Sequence, residues 1–512
     1  MVYRGKPSPG CALCRARRLL CDRRRPSCSQ CLRVNRECSG YQDLQALRIH
    51  DQSQETAAKV QAQSKARRSV RKSTTPPTTV QSAALSQSLP PAIPSSMAEQ
   101  AIAYTFKRYV GTTQNRGLLS YLPLLLSEDP SPVLQATIRA VGLAGMSRAL
   151  SLPELKYSAG LEYGTALLAT SRALQDLAVA KRDSTLAAVV MLSTYELITC
   201  EGSKGGHDIM RGWINHVQGS AKLLELRGTE QMKSPAGLAL FTLVRLQVAF
   251  SNIFCRQPSS PEIASLSLVA KAHRDNDSQT IEDFFDTLGE LADLSIDSDK
   301  PFTEENTSAD PVLIIRKALH LDADLLSWSL SINSTWRYKA IETPSLNNTN
   351  EHKPYSFYHG SRYHVFPNID LASMWNNYHQ ARIIIHGIIK SMCEYLLALD
   401  PAHGCRQTLI QSIATCKQMI EDICASVPYY LTSGETGVGG LLRLSWPLFI
   451  AADSSVSTPV EKEWLRQTLE KVAEITGAQQ ALTMAQFLRK GWAVPFIPGN
   501  AGRGRFPFRG RA

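Results

Sequence analysis

The spacing of apolar residues changes near Met97. From there to about residue 490 they recur at intervals of three, four or seven, which is the spacing of one face of an α-helix. One such face comprises Trp375, Tyr378, Ile385, Ile389, Met392, Leu396 and Leu399. Runs that alternate apolar and polar residues between turn residues are few, so the pattern predicts an all-α body without a substantial sheet.

Two further patterns predict where one helix begins and where the helical body is interrupted. Asp310 followed by Pro311 predicts a helix start, because Asp is a good N-cap and Pro is tolerated in the first turn. Residues 256–310 are rich in Ser, Asp and Glu, a composition typical of segments that cannot supply a core. We therefore expect a long, partly disordered insertion at 256–310.

The beginning of the chain has a different composition. Residues 1–42 are rich in cysteine and basic side chains, whereas residues 73–96 contain no charge and have Pro, Ser or Thr at 15 of 24 positions. Such a stretch is typical of a disordered linker. The sequence therefore predicts a small head at 1–42, a linker at 43–96, a helical body at 97–500 and an Arg/Gly tail at 501–512.

Positive charge is concentrated at the two ends of the chain. Residues 1–72 contain 17 Lys and Arg against 5 Asp and Glu, and the tail contains four Arg and no acid. A basic head on a nearly neutral body indicates that one end meets a polyanion. The N-terminal residues lack the apolar core of a secretory signal, and polar residues interrupt the longest apolar stretches, so neither export nor a membrane span is expected.

Six cysteines in the head follow a repeated spacing. They are Cys11, Cys14, Cys21, Cys28, Cys31 and Cys38, a C-x2-C-x6-C unit that recurs after 17 residues. A structural zinc ion takes four tetrahedral ligands, so two ions need eight ligand positions, and six thiolates fill eight only if two of them bridge both ions. The one histidine in the first seventy residues is His50, so mixed Cys/His fingers lack their ligands. The spacing predicts a cluster of two zinc ions.

Metal binding is also needed to fold the head. A forty-residue segment with few large apolar side chains does not fold alone. Structural zinc contributes about 10–16 kcal/mol in small peptides, which is enough to fix this loop-rich segment. The alternative is a secreted disulfide framework, and the missing secretory signal argues against it.

The residues around these cysteines resemble the fungal binuclear zinc cluster family of transcription factors. The matching stretches are Gly10-Cys11-Ala12-Leu13-Cys14-Arg15-Ala16-Arg17-Arg18-Leu19-Leu20-Cys21-Asp22, Arg23-Arg24-Arg25-Pro26-Ser27-Cys28-Ser29-Gln30-Cys31 and Cys38-Ser39-Gly40-Tyr41. The resemblance implies two short helix-loop halves, with Cys11 and Cys28 bridging the two zinc ions. It also implies that Cys14 and Cys21 complete one ion, and that Cys31 and Cys38 complete the other.

The same resemblance implies double-stranded DNA as the partner. In the family, a short helix after the second cysteine enters the major groove, and basic residues before the third cysteine read a CGG triplet. Carried over, Arg17 and Arg18 are the base readers, because the planar fork of arginine bonds guanine O6 and N7 together. The expected phosphate contacts are Arg15, Arg23, Arg24 and Arg25. Leu20 departs from the family pattern, which has a basic residue immediately before the third cysteine.

More loosely, residues 97–490 resemble the all-helical regulatory domain that accompanies this zinc cluster in fungal factors. The matching stretches are Val190 to Leu197, Trp375 to Arg382, Ser426 to Tyr430 and Leu444 to Leu448. The resemblance implies a nuclear, sequence-specific regulator of RNA polymerase II transcription that works with co-regulators. Family members with this layout often control a nearby biosynthetic gene cluster.

Two questions about the linker stay open at the level of sequence. Its basic run consists of Lys65, Arg67, Arg68, Arg71 and Lys72. The run is a candidate nuclear localisation signal, a set of extra backbone contacts or simply a solvated part of the linker. Between Tyr41 and Lys65 no heptad pattern persists for three repeats. Both a homodimer and a monomer therefore stay open as the DNA-binding form.

No catalytic residues are predicted. Neither an H-E-x-x-H zinc motif nor a G-x-S-x-G elbow is present. Isolated histidines such as His216, His379 and His386 are expected to be packed or solvated rather than ligands. We therefore expect no enzyme, and the alternative is a metabolite-binding or enzymatic helical body that the zinc cluster tethers to DNA.

Overall fold

The computed structural model has two compact units, Met1–Thr75 and Pro76–Ala512. The described residues are 11, 13–14, 17, 19, 21–22, 24, 26–36, 38, 96–111, 119–199, 211–300, 309–342, 357–432 and 437–490. Apart from Ser96, the predicted linker at 43–96 lies outside these residues, and so do the basic run at 65–72 and the tail at 501–512.

The described residues are overwhelmingly helical, which confirms the predicted all-α class. The first helices are α1 (Ser29–Arg33), α2 (Met97–Thr105), α3 (Leu122–Glu128), α4 (Pro132–Ala149), α5 (Pro153–Gln175), α6 (Leu177–Ala180), α7 (Asp183–Thr199), α8 (Arg211–Arg227) and α9 (Pro235–Cys255). The later ones are α10 (Pro261–Ala272), α11 (Asn276–Asp297), α12 (Pro311–Ser331), α13 (Ile369–Leu399), α14 (Arg406–Thr432), α15 (Gly437–Leu442), α16 (Ser445–Asp453), α17 (Pro459–Thr476) and α18 (Gln479–Lys490). Short π or 3-10 turns occupy Phe106–Val110, Gly228–Met232 and Ser334–Trp336.

Two helices begin where local chemistry places them. The Asp310 carboxylate accepts a hydrogen bond from the Val312 N–H at 2.9 Å, so α12 starts at the predicted cap. Asn368 caps α13 in the same way, accepting from the Leu371 N–H at 2.9 Å. Helix α13 contains the whole predicted apolar face from Trp375 to Leu399.

The prediction of a disordered insertion at 256–310 is wrong for most of that range. Helices α10 and α11 occupy it, and α11 buries Phe284, Leu288 and Leu291 in the core. Its acidic residues are partly structural, because the Glu282 carboxylate contacts the buried Arg245 guanidinium of α9 and lies 3.2 Å from that of Arg274. Acidic composition here therefore marks an ion-pair network and a solvated helix face. Residues 301–308 lie outside the described part of the chain.

The helical unit buries two large hydrophobic clusters. The N-terminal cluster is built mainly from α4, α7, α8 and α9, and the C-terminal cluster mainly from α11, α12, α13, α14 and α16. Trp446 of α16 packs against both clusters. Its ring centroid lies 6.0 Å from that of Trp213 in the first cluster and 5.3 Å from that of Phe254 in the second.

Helices α2 and α4 pack unusually closely in the N-terminal cluster. A Cβ atom added at Gly142 would lie 2.0 Å from the carbonyl oxygen of Ala101 and 2.8 Å from the hydroxyl of Thr105. The Thr105 hydroxyl donates to the Ile138 carbonyl at 2.9 Å, which ties the two helices together. Only glycine fits at position 142 without moving a backbone.

The one sheet among the described residues is a two-stranded antiparallel pair. Strand β1 (Lys339–Glu342) pairs with β2 (Arg362–Val365) in a register that places Lys339 opposite Val365. Strand β2 packs on α14, where the Arg362 guanidinium lies 2.9 Å from Asp422. A sheet of this size agrees with the expectation that no substantial sheet is present.

A buried ion pair fastens α12 to α13. The Arg382 guanidinium makes two contacts with the Asp322 carboxylate, from Nε at 2.6 Å and from a terminal nitrogen at 3.0 Å. Both residues are less than one-tenth exposed. His386 Nε2 lies 3.1 Å from the same carboxylate. Such a fork-to-fork arrangement compensates the cost of burying both charges.

Among the described helices, α9 is long and apolar enough to cross a membrane by length and composition. About half of its apolar window, 56%, is buried inside the helical unit. Phe241 and Val244 of α9 are fully buried in the N-terminal cluster, and Ile253 is buried in the C-terminal one. These contacts are those of a core helix, which also satisfies such a length and composition test.

Candidate metal centre and nucleic-acid interface

The six head cysteines form two groups of four sulfur atoms. One group is Cys11, Cys14, Cys21 and Cys28, and the other is Cys11, Cys28, Cys31 and Cys38. Within each group all sulfurs lie within 4.8 Å of one another, and Cys11 and Cys28 belong to both. Two four-ligand sites that share two ligands give the eight coordination positions that two zinc ions require.

The sulfur separations suit zinc and exclude disulfides between the measured pairs. Cys11 Sγ lies 3.8 Å from Cys28 Sγ and 3.7 Å from Cys31 Sγ, and Cys14 Sγ lies 3.6 Å from Cys28 Sγ. A tetrahedron with Zn–S bonds of about 2.3 Å has edges of about 3.8 Å, whereas a disulfide bond is about 2.05 Å long. The donor set therefore fits two structural zinc ions, and zinc would supply the positive charge around which the thiolates gather.

The pKa values of two cluster thiols also bear on metal binding. Burial, followed by contacts with neighbouring thiols, raises the pKa of Cys14 far above the ordinary thiol range. The adjacent Cys28 thiol, followed by burial, raises the pKa of Cys31 to about 12. These thiols stay protonated when no cation offsets their charge, so metal binding must release protons.

The 17-residue sequence repeat is visible in the backbone. In the first half the Leu19 N–H donates to the Cys14 carbonyl at 2.9 Å, and in the second half the Arg36 N–H donates to the Cys31 carbonyl at 3.1 Å. These two hydrogen bonds occupy equivalent positions in the repeat. Each half thus turns through a helical segment at its second cysteine, Cys14 and Cys31 both being helical, as the two helix-loop halves of the prediction require.

One carboxylate joins the two halves. Asp22, next to the third cysteine, accepts from the Ser29 N–H at 3.1 Å and from the Ser29 hydroxyl at 2.5 Å. The Ser29 contacts, and to a smaller extent the charge of Arg24, lower the pKa of Asp22. The role of Asp22 is not among the sequence predictions; its position directly after a cysteine in a basic segment is the only signal that the sequence offers for it.

Two of the predicted DNA-contacting arginines fall within the described residues. Arg17 is exposed, and the Arg24 side chain is 80% exposed with its Nε 3.7 Å from Asp22. The other four, Arg15, Arg18, Arg23 and Arg25, lie outside the described residues. Arg33 and Arg36 in the second half are exposed too, although neither is among the predicted contacts. Exposed guanidiniums on a metal-fixed scaffold are suited to contact a phosphate backbone or a base edge.

Outside the head, the described residues contain no further group of three or more residues arranged to hold a metal ion. His379 and His386 are buried in α13, in agreement with the expectation of packed histidines. His216 lies 3.0 Å from the Tyr163 hydroxyl, which also donates to Glu196 at 2.5 Å. Burial lowers the pKa of His216 to about 4, so this histidine is neutral at physiological pH.

Two family descriptions cover most of the chain. Residues 9–47 match the Fungal Zn(2)-Cys(6) binuclear cluster domain, and residues 109–495 match the Fungal specific transcription factor domain. The first match contains all six head cysteines, and the second contains the buried residues of both hydrophobic clusters apart from Ala101 of α2. No solved structure matches the chain.

Individual relatives give the same picture. The chain is 24% identical over 405 residues to Transcription factor dbaG of Emericella nidulans, which covers 74% of this chain and 87% of that protein. It is 38% identical over 56 residues to White-opaque regulator 2 of Candida albicans, covering 11% of this chain and 13% of the relative. It is 40% identical over 55 residues to the Aspercryptin biosynthesis cluster-specific transcription regulator atnN of Emericella nidulans, covering 11% and 9%.

The thiol geometry and the family matches lead to one conclusion. Six cysteines are arranged as two tetrathiol sites with two shared sulfurs, and more than half of the chain matches a transcription factor domain. The chain therefore belongs to the fungal Zn(2)-Cys(6) transcription factors, which are DNA-binding regulators whose head domain binds two zinc ions.

Proposed function

We propose that this chain is a nuclear, sequence-specific regulator of RNA polymerase II transcription whose head reads a CGG-type element in the major groove. The observation that carries the proposal is the pair of tetrathiol sites that share Cys11 and Cys28, because they fix the exposed Arg17 and Arg24 on one small scaffold. In this proposal Arg17 and Arg18 contact base edges, and Arg15 and Arg23 to Arg25 contact phosphates.

The ligand assignment belongs to the same proposal. Cys11 and Cys28 bridge the two ions, Cys14 and Cys21 complete the first, and Cys31 and Cys38 complete the second. Membership of each sulfur in the two groups supports this division. Arg33 and Arg36 are additional candidates for phosphate contacts, since they are exposed on the second half.

The decisive experiment separates base reading from phosphate binding. DNA sites are first selected from a random pool with the full chain, and affinity is then measured on the selected site and on a scrambled site. Arg17→Ala should lose roughly 1–3 kcal/mol of discrimination between the two sites. The matched variant Arg24→Ala should weaken both sites alike and reduce the salt slope by about 1.

Equal losses on both sites for Arg17→Ala would remove that residue from the reader role. A selection that returns no CGG-type triplet would reject the proposed element. The spacing of selected triplets also reports oligomeric state, because a homodimer selects paired half-sites and a monomer selects single ones.

Nuclear entry and target genes are part of the proposal. Replacing Lys65, Arg67, Arg68, Arg71 and Lys72 by alanine in a fluorescent fusion should leave the protein outside the nucleus if this run is the localisation signal. Control of a biosynthetic gene cluster is supported by the name of one relative, and by a short likeness only. Transcript levels after deletion of the gene should change for a contiguous set of biosynthetic genes.

The helical unit acts in this proposal as a regulatory body that meets co-regulators, without a reaction of its own. Among the described residues, two buried ion pairs of this unit join packed helices: Asp322 with Arg382, and Glu282 with Arg245. Turnover of a small molecule by the full chain, abolished by a substitution in the helical unit, would contradict the non-enzymatic assignment.

A further inference from the structure

A single Arg-Arg-x-Ser/Thr sequence occurs in the chain, and it lies between the two halves of the zinc-binding head. It is Arg24-Arg25-Pro26-Ser27. Arginines two and three residues before an acceptor hydroxyl are what basophilic Ser/Thr kinases bind, because guanidinium groups pair strongly with carboxylates in the kinase groove. The sequence places this motif in the loop whose arginines are proposed to contact DNA.

The structure distinguishes Ser27 from the other serine described in the head. The Ser29 hydroxyl donates to Asp22 at 2.5 Å and serves to join the two halves. Within the described part of the head, the Ser27 hydroxyl makes no hydrogen bond. Ser27 is partly exposed and lies in a bend, next to the exposed Pro26. Of these two hydroxyls, the one at position 27 is accessible to a modifying enzyme without breaking an existing contact.

We propose that Ser27 is a phosphorylation site through which a basophilic Ser/Thr kinase weakens DNA binding. In the reaction, Ser27 Oγ forms a bond to the γ-phosphorus of MgATP, the bond between that phosphorus and the β–γ bridging oxygen breaks, and ADP leaves. The proton of the hydroxyl passes to the base of the kinase. The effect on DNA binding rests on the proposed phosphate-contacting role of Arg23 to Arg25.

The charge change accounts for the direction of the effect. A phosphoserine carries about −1.5 to −2 charges at neutral pH and offers three acceptor oxygens. Arg24 lies three residues away and is 80% exposed, so a phosphate on Ser27 can pair with it in place of a DNA phosphate. The same phosphate also repels the DNA backbone. Neither effect requires a change in the sulfur positions, so the two zinc ions stay bound.

The test uses the zinc-loaded full chain, a basophilic Ser/Thr kinase and MgATP. Peptide mapping should find phosphate on Ser27 and none at this position in Ser27→Ala. Modification of the wild-type chain should weaken DNA binding by about tenfold and make the salt dependence shallower. Zinc content, measured by native mass spectrometry, should remain two ions per chain, and Ser27→Ala should bind DNA as the wild type does.

Three results would overturn the inference. The first is phosphate that enters Ser27 only after zinc is removed, since the folded head would then be inaccessible. The second is a phosphorylated Ser27 with unchanged DNA affinity, and the third is a loss of zinc that accompanies modification. A failure of the proposed function has a different signature: the unmodified chain itself then shows no preference for any selected DNA site, whatever the mapping of Ser27 shows.

Discussion

Ser29 donates two hydrogen bonds to one carboxylate, that of Asp22, from its N–H at 3.1 Å and from its hydroxyl at 2.5 Å. Asp22 follows the third cysteine of the head, and Ser29 follows the fourth. The contact therefore joins the two halves of the repeat through a path that contains no metal. It adds to the shared sulfurs, which in the proposed ligand assignment join the same halves through the zinc ions.

Loss of this contact should loosen the metal cluster. In Asp22→Ala and in Ser29→Ala, we expect zinc to pass to a competing chelator several-fold faster than from the wild type, because the second half is no longer held by hydrogen bonds to charged oxygen. Release is followed with a zinc-sensitive dye. Ser27→Ala is the control, since the Ser27 hydroxyl makes no hydrogen bond within the described head. Wild-type release rates in Asp22→Ala would refute the proposed role of this carboxylate.

The shared sulfurs should be indispensable for both zinc ions. Cys28→Ser removes one ligand from each tetrathiol group at once, so native mass spectrometry should find fewer than two zinc ions and DNA binding should be lost. The matched control is Cys416→Ser, which changes a buried cysteine of α14 that belongs to neither group. A Cys28→Ser protein that keeps two zinc ions would show that this sulfur does not bridge them.

Two glycines of the helical unit should respond oppositely to the same substitution. Gly142→Ala places a methyl group against the backbone of Ala101, so we expect a loss of about 1–3 kcal/mol in the free energy of unfolding. Gly164→Ala in α5 meets no atom within 4 Å, so it should gain about 0.5–1 kcal/mol from the lower entropy of the unfolded chain. Urea denaturation followed by circular dichroism measures both. Equal effects at the two positions would contradict the close packing of α2 on α4.

The Asp322–Arg382 pair should make the helical unit sensitive to acid. Burial alone would raise the pKa of Asp322, but His386 and Arg382 outweigh it and hold the pKa at about 2. Because the folded pKa lies below the unfolded one of about 3.9, the contribution is complete above pH 4 and is lost as the pH falls towards 2. It should amount to about 2 kcal/mol.

Comparison of two proteins isolates that contribution. The free energy of unfolding is measured for the wild type and for Asp322→Asn between pH 2 and pH 6. The difference between them should be largest near pH 6, because the variant leaves the Arg382 charge buried without its carboxylate, and it should shrink towards pH 2. A difference that does not change with pH would show that the Asp322 carboxylate is not the titrating group.

Part of the architecture was accessible from sequence because its signals are local. A hydrophobic spacing of three and four predicts α13, and a good N-cap followed by proline predicts the start of α12. The repeat of cysteines after 17 residues predicts two zinc ions, because the ligand count leaves little choice. In these cases the residues that determine the structure lie within one turn or one motif of each other.

The sequence did not predict the order of α11 or the role of Asp22. In α11, apolar residues recur at helical spacing, but the many acidic side chains around them suggested disorder. Glu282 can be buried because Arg245 and Arg274 lie beside its carboxylate. Both arginines are distant in sequence or outside α11, so the residues near Glu282 do not predict these contacts. The role of Asp22 is not predicted for a different reason: its partner Ser29 lies in the same motif, seven residues away, but the spacing of residues does not show which side chains a loop brings together.

Trp446 packs against both hydrophobic clusters of the helical unit, so its position affects how the unit unfolds in the cell. If α16 detaches, the same event uncovers apolar surface beside Trp213 and beside Phe254. Partial unfolding then costs free energy in both hydrophobic clusters at once. This favours opening of the whole helical unit over an intermediate in which only one cluster is folded. Chaperones and proteases would accordingly meet either the intact regulator or a fully opened one.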